Sequence, residues 1–215
     1  MEIISVNLGR AQRIETAKSV DLTGIYKMPT TASVRVTTLG LEGDAVCDTK
    51  HHGGVDQAVY VYGVPDYAWW SAELGRELSP GTFGENLTVG GLESAALPVG
   101  DRLHAGETIL EVTAARIPCA TLAARMGDPQ FVKRFRHAKR PGVYCRVIRE
   151  GNLCVGEPVQ HEPYSGQVII TVGEMFRDFY DRDWDEARLR RYLLAPIAIR
   201  DREERARELA QLTGG

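Results

Sequence analysis

Cys119 stands in the run Ala115-Arg116-Ile117-Pro118-Cys119-Ala120-Thr121-Leu122, after a strand-like segment and before a predicted helical turn. Arg116 lies three residues before it, and Pro118 fixes the backbone between them. A nearby cation favours the thiolate, the form that attacks electrophiles or binds a soft metal. A free cysteine is more often a small buried hydrophobe, and this segment alone leaves both readings open. The densest polar stretch runs from Gly40 to Gln57 and sets Glu42, Asp44, Asp48, Lys50, His51 and His52 among glycines. Glycine-rich backbone approaches a phosphate closely and offers it N–H groups. A histidine or lysine beside it adds charge-assisted hydrogen bonds. A metal site built from Asp44, Cys47, Asp48, His51 and His52 would mix hard and soft ligands at spacings that match no standard template. An anion-binding loop and an ordinary surface loop therefore both stay open. In the turn Pro80-Gly81-Thr82-Phe83-Gly84-Glu85-Asn86-Leu87, Asn86 both donates and accepts, as reading a heterocycle edge requires. It also suits a plain turn. Lys27 falls in the segment Gly24–Thr30, read as a loop between strands.

These residues must be positioned by short strands. Val34–Thr37 alternates, Ala58–Tyr62 is a continuous apolar run, and Leu87–Val89 is bounded by glycines. Asp101–Val112 reads as a hairpin turning near Ala105-Gly106, and Val143–Ile148 and Val155–Val159 flank a turn at Glu150-Gly151-Asn152. Many short strands at this spacing favour a sandwich or barrel. Two helical insertions are expected, one over Pro65–Leu78 and one over Ala120–Arg136, broken at Gly127-Asp128-Pro129. From about Gln167 three helix starts of the capping-box type appear, at Thr171/Glu174, Asp183/Glu186 and Asp201/Glu204. Residues 1–163 are expected to form the β domain and 167–215 a helical one. The second is too small for its own core, so it should pack on the first or on a second copy in a homodimer. Its arginines alternate with acids, which argues against DNA.

Among 215 residues, 43% are hydrophobic and 26% charged, with a formal net charge of −3. No whole-chain field draws such a protein to nucleic acid or an anionic membrane. The cluster Lys133, Arg134, Arg136, His137, Lys139, Arg140 reads as a solvated face. The four cysteines, Cys47, Cys119, Cys145 and Cys154, form no Cys-x-x-Cys pair and are expected to be free, with all but Cys119 as packing thiols. The start of the chain shows no secretory signal and no apolar run reaches membrane-spanning length. A reducing cytoplasm is the expected setting.

Several pieces occur in a telling order: Gly24-Ile25-Tyr26-Lys27, Gly40-Leu41-Glu42-Gly43-Asp44, His52-Gly53-Gly54, Phe83-Gly84-Glu85-Asn86, Gly100-Asp101, Arg116-Ile117-Pro118-Cys119 and Gly142-Val143-Tyr144. Together they resemble the MOSC domain, the superfamily named after the C-terminal domain of molybdenum cofactor sulfurases, in its stand-alone YiiM-type branch. The tail from Val168 resembles the three helices that end such proteins. The resemblance implies a mainly β fold: an antiparallel β-barrel with inserted helices plus a small C-terminal three-helix bundle. It makes Cys119 the catalytic residue, its thiolate the protein ligand to the molybdenum of a molybdopterin cofactor whose dithiolene supplies other soft ligands. Arg116 and Lys27 would meet the cofactor's anionic groups. Asp44, the loop His52-Gly53-Gly54 and the turn Phe83, Glu85, Asn86 would complete the cofactor pocket. The implied activity is reduction of N-hydroxylated compounds, such as N-hydroxylated purines, with electrons from an external flavoprotein reductase. The alternative is a molybdenum-cofactor carrier or a sulfur-transfer protein in which Cys119 bears a persulfide. Met28 after Lys27, His51 before the His-Gly-Gly run, and Val143 depart from the family pattern and bear on substrate preference.

Overall fold

The apolar and polar residues of Glu2–Gly9 interleave as a half-buried strand should, and the computed structural model begins with that strand. The structure describes every residue except Lys18, Lys50, His51 and Gly215. Among the described residues the strands are β1 Glu2–Gly9, β2 Gln12–Glu15, β3 Val20–Thr23, β4 Lys27–Thr30, β5 Val34–Thr37, β6 Gly40–Leu41, β7 Val59–Gly63, β8 Leu87–Gly90, β9 Arg102–Ala105, β10 Thr108–Ala115, β11 Val143–Arg149, β12 Gly151–Leu153 and β13 Val159–Glu162. The α-helices are α1 Val64–Leu74, α2 Ala120–Met126, α3 Phe131–Ala138, α4 Val172–Asp181, α5 Glu186–Leu194 and α6 Ile199–Thr213. Lys27 thus opens a strand rather than sitting in a loop. No helix among them is long and apolar enough to cross a membrane.

Eight strands form one sheet in the order β13-β9-β10-β11-β7-β8-β1-β4. Smaller sheets join β12-β5-β6 and β2-β3. The start of β1 also bonds the run leading into β13: Ile3 N donates to Glu157 O at 2.9 Å, and Val159 N to Met1 O at 2.9 Å. The pairings are mostly antiparallel, as expected, and one differs: β7 and β8 pair in parallel. A parallel pair needs a crossover, and α1 with the following turn supplies it. Pro65 lies in the first turn of α1, where no intrahelical N–H is needed, and Gly75 ends the helix at φ 62°.

The crossover builds the core. Trp70 of α1 stacks on Phe135 with ring centres 5.9 Å apart and lies 5.7 Å from Phe83. Phe131 and Phe135 recur four residues apart on α3, the spacing of one helix face, and both are buried. Phe176 of α4 lies 6.2 Å from Phe135, which carries the aromatic cluster into the tail. Met175, Leu189 and Tyr192 are buried as well, whereas Phe179 stays 40% exposed.

The tail's first helix start holds as read: Thr171 Oγ1 accepts from Glu174 N at 3.1 Å. The other two are corrected. Asp185, not Asp183, caps α5, accepting from Arg188 N at 2.7 Å. The last helix begins at Ile199, so Asp201 lies inside its first turn. Its leading amide, Ile199 N, is taken up by Asp56 Oδ2 at 2.6 Å, a cap supplied from far away in the sequence. Local pattern cannot show a cap of that kind.

Removing the Trp70 side chain should open a cavity between α1, α3 and the Phe83 turn. Trp70→Ala should cost about 3–5 kcal/mol, read as a lowered urea midpoint with an unchanged slope.

Candidate active site

Past the end of β10, Arg116 turns its guanidinium inward and is only 4% exposed. Its Cζ lies 5.1 Å from the centre of the Tyr60 ring, and its Nη1 has no hydrogen-bond partner within the protein. Pro118 follows, and Cys119, with extended backbone at φ −129° and ψ 175°, precedes the first residue of α2. Burial alone would push the Cys119 thiol up. A hydrogen bond from His52, the charge of Arg116 and the amide of Leu122 outweigh that and bring it down to about 6. Above that pH the thiolate predominates. His52 Nδ1 also lies 3.2 Å from the Tyr144 hydroxyl, so one ring links Tyr144 to the sulfur. Burial raises the Tyr144 hydroxyl and keeps it protonated, although Arg116 opposes the shift.

These groups line a cavity of about 610 Å³, joined there by Lys27, Asp44, Gly53, Asn86 and Gln57. Lys27, Asp44, His52, Gly53, Asn86, Arg116 and Cys119 are therefore brought together as the sequence suggested. Two of them have different duties from those expected. Lys27 Nζ lies 2.5 Å from each oxygen of Asp44, so its charge is met within the protein rather than offered to an anion. Asn86 gives Nδ2 to Asp44 at 2.9 Å and takes Tyr60 N on Oδ1 at 3.1 Å, which commits its amide to the wall instead of to a heterocycle.

Three expected residues do not line the cavity. Phe83 is fully buried behind it, stacked on Tyr62 at 4.6 Å. Glu85 is fully buried too and accepts from the Tyr67 hydroxyl at 2.5 Å, Gly81 N at 2.7 Å and Thr88 Oγ1 at 2.9 Å. Burial pushes its carboxyl up, and those donors pin the turn 79–86. Gly54 follows Gly53 just outside, both with positive φ, 79° and 74°. A Cβ on Gly53 would meet Val46 Cγ1 at 2.8 Å, so the glycine pair lets this loop run close under the wall. His51 and Lys50 lie outside the described residues.

Sequence reasoning missed Gln57, Tyr60 and Tyr144 as site residues. Tyr60 and Tyr144 are register partners on β7 and β11, with rings 5.1 Å apart. Only the register reveals that pairing. The mouth is apolar where β3 contributes Val20 and Leu22 and the loop after β6 contributes Val46. All four cysteines are free, but Cys47, expected to be a packing thiol, stands on the cavity wall. In the basic cluster near α3 the arginines are paired, Arg134 with Glu73 and Asp128, Arg136 with Asp181 and Arg140 with Asp66.

A molybdenum–pterin group asks for a soft ligand, a donor for its anionic part and room. Cys119 offers a thiolate and Arg116 an unpartnered buried donor. The volume falls within the ~300–1,000 Å³ usual for ligand pockets. Among the described residues no three His, Cys, Asp or Glu side chains are placed to hold a bare ion. Cys119 therefore suits a metal that arrives with other ligands already attached, and the donor set fits the group.

The model of the MOSC domain family matches residues 48–160. YflK of Bacillus subtilis is 37% identical over 72% of this chain and 70% of its own. A protein named reductase from Gibberella moniliformis is 29% identical over 81% of this chain, which spans 32% of that longer protein. The crystal structure of YiiM from Geobacillus stearothermophilus superposes with a TM-score of 0.78 at 25% identity, covering 97% of this chain and 99% of that one.

Alkylation of Cys119, followed by peptide mass spectrometry, should rise with pH to half its maximum near pH 6, and His52→Ala should move that midpoint upward. Cys145, which burial pushes far up, should stay unreactive. A Cys119 midpoint near the ordinary thiol value of about 8.5 would refute the assigned environment.

Proposed function

The chain belongs to the MOSC domain family, in its stand-alone YiiM-type branch, and we propose that it is a molybdenum-cofactor-dependent reductase of N-hydroxylated compounds, such as N-hydroxylated purines. The observation that carries the reading is the Cys119 thiolate, held at about 6 beside an arginine whose buried Nη1 has no partner, in a ligand-sized cavity. A relative named as a reductase adds to it. When bound, the cofactor would supply two-electron chemistry that removes oxygen from an N–O bond.

In this reading Cys119 Sγ is the protein's one ligand to the metal, and Arg116 meets the cofactor's negative charge. The net reaction takes an N-hydroxylated amine, two electrons and two protons to the amine and water. In this reading an external flavoprotein reductase, the donor that the family resemblance implies, would supply the electrons. The His52 ring stands between the Tyr144 hydroxyl and the sulfur, within hydrogen-bond reach of both. The apolar mouth formed by Val20, Leu22 and Val46 suits a flat, weakly polar substrate and limits water when covered. The main-chain bonds that tie β1 to the run before β13 support reading the large sheet as a closed barrel.

Protein made in a cofactor-competent host should contain molybdenum, and Cys119→Ser should lose it while keeping its far-ultraviolet circular dichroism. With reduced viologen and an N-hydroxylated purine the loaded wild type should turn over many times. Equal metal content in both forms would sink the reading, and consumption that halts after one equivalent would favour a cofactor carrier or a persulfide protein.

A further inference from the structure

Gln57 has no duty in the chemistry assigned so far, yet it lines the cavity with Cys119 and Arg116. Its Oε1 is buried without a partner. An acceptor buried this way is destabilising unless a ligand or a water in the cavity supplies the donor. The backbone beneath it is unusually well fixed. Gln57 N donates to Gly54 O at 3.1 Å. The neighbouring Asp56 caps α6 through Ile199 N at 2.6 Å and pairs with Arg146 at 3.1 Å. Its carbonyl accepts from Thr113 Oγ1 at 2.6 Å, and Thr113 O in turn takes Ala198 N at 3.2 Å. The single turn Val55–Gln57 is thereby held between β10, β11 and the start of α6.

We propose that Gln57 orients the substrate, pairing its carboxamide with an N–C–N edge, and that α6 holds it in place through Asp56. This rests on the reductase reading and narrows its substrate class. A carboxamide presents an acceptor and a donor in one plane. The matching edge carries a donor and an acceptor on two nitrogens joined through one carbon, a paired contact similar in kind to the one a glutamine makes with N6 and N7 of adenine, where two carbons intervene. N-hydroxyamidines and N-hydroxylated aminopurines have such an edge. An arylhydroxylamine, with one nitrogen, does not. Gln57 is thus a specificity residue, and Asp56 a positioning residue that acts through it.

The test compares metal-loaded wild type with Gln57→Leu, Gln57→Glu and Asp56→Ala. Metal content, melting temperature, kinetics with an N-hydroxyamidine and with phenylhydroxylamine, and calorimetric binding of the product amidine are measured for each. The ratio of kcat/KM for the amidine over phenylhydroxylamine should fall at least about tenfold in Gln57→Leu, through KM, with molybdenum content unchanged. Product binding should weaken in step, and Asp56→Ala should lower the same ratio. An unchanged ratio, unchanged or absent amidine binding, or loss of molybdenum, which would assign Gln57 to the cofactor, each overturns the proposal. Should Gln57→Leu fail to fold, the Gln57→Glu ratio decides. Failure of the reductase reading itself would look different: no turnover by the wild type, with the calorimetric comparison still deciding whether Gln57 reads amidines.

Discussion

The cavity walls stand where they do because of one carboxylate. Asp44, its side chain 5% exposed, accepts from Gly9 N at 2.7 Å, Lys27 Nζ at 2.5 Å and Asn86 Nδ2 at 2.9 Å. Those donors belong to the end of β1, the start of β4 and the approach to β8, so a single anion gathers three segments at one point. Taking such a pair out of water is expensive, and breaking it costs about 3–5 kcal/mol because the partner is left buried and uncompensated. The arrangement is therefore costly to form and hard to loosen, which suits a site that must keep its shape with or without an occupant.

The same pairing decides which cation does chemistry. With Lys27 neutralised by Asp44, Arg116 is left as the buried charge that faces the sulfur. Its field and the His52 hydrogen bond overcome the burial that would otherwise raise the thiol. Arginine suits this place better than lysine: it stays charged when desolvated, and its flat guanidinium rests over Tyr60 while Nη1 stays available.

What the sequence made legible was local chemistry. Cys119, Arg116 and His52 were readable because each sits in a short run whose residue types already constrain one another, and the strands and first tail helix followed from alternation and capping. The errors share a physical origin. Phe83 and Glu85 occupy the same turn as Asn86, and adjacency in a turn does not say which side chain faces the cavity and which faces the core. Gln57, Tyr60 and Tyr144 depend on strand register and on a turn fixed from elsewhere, neither of which any window of sequence contains. The start of α6 was misread because its cap is Asp56, some hundred and forty residues away.

That distant cap, with the bonds from β1 to residues 156–159, also sets the order of assembly during biosynthesis. The N-terminal strand can pair with β4 and β8 early, but its bonds to residues 156–159 wait until nearly three quarters of the chain has been made, and the cap on α6 joins Asp56 to Ile199 later still. At ribosomal rates of about 5–20 residues per second, the first strand spends many seconds without the last of its partners. Every residue that lines the cavity precedes α6, the last being Tyr144, so the final helix bears on the cavity only by bracing the turn that carries Gln57, through Asp56.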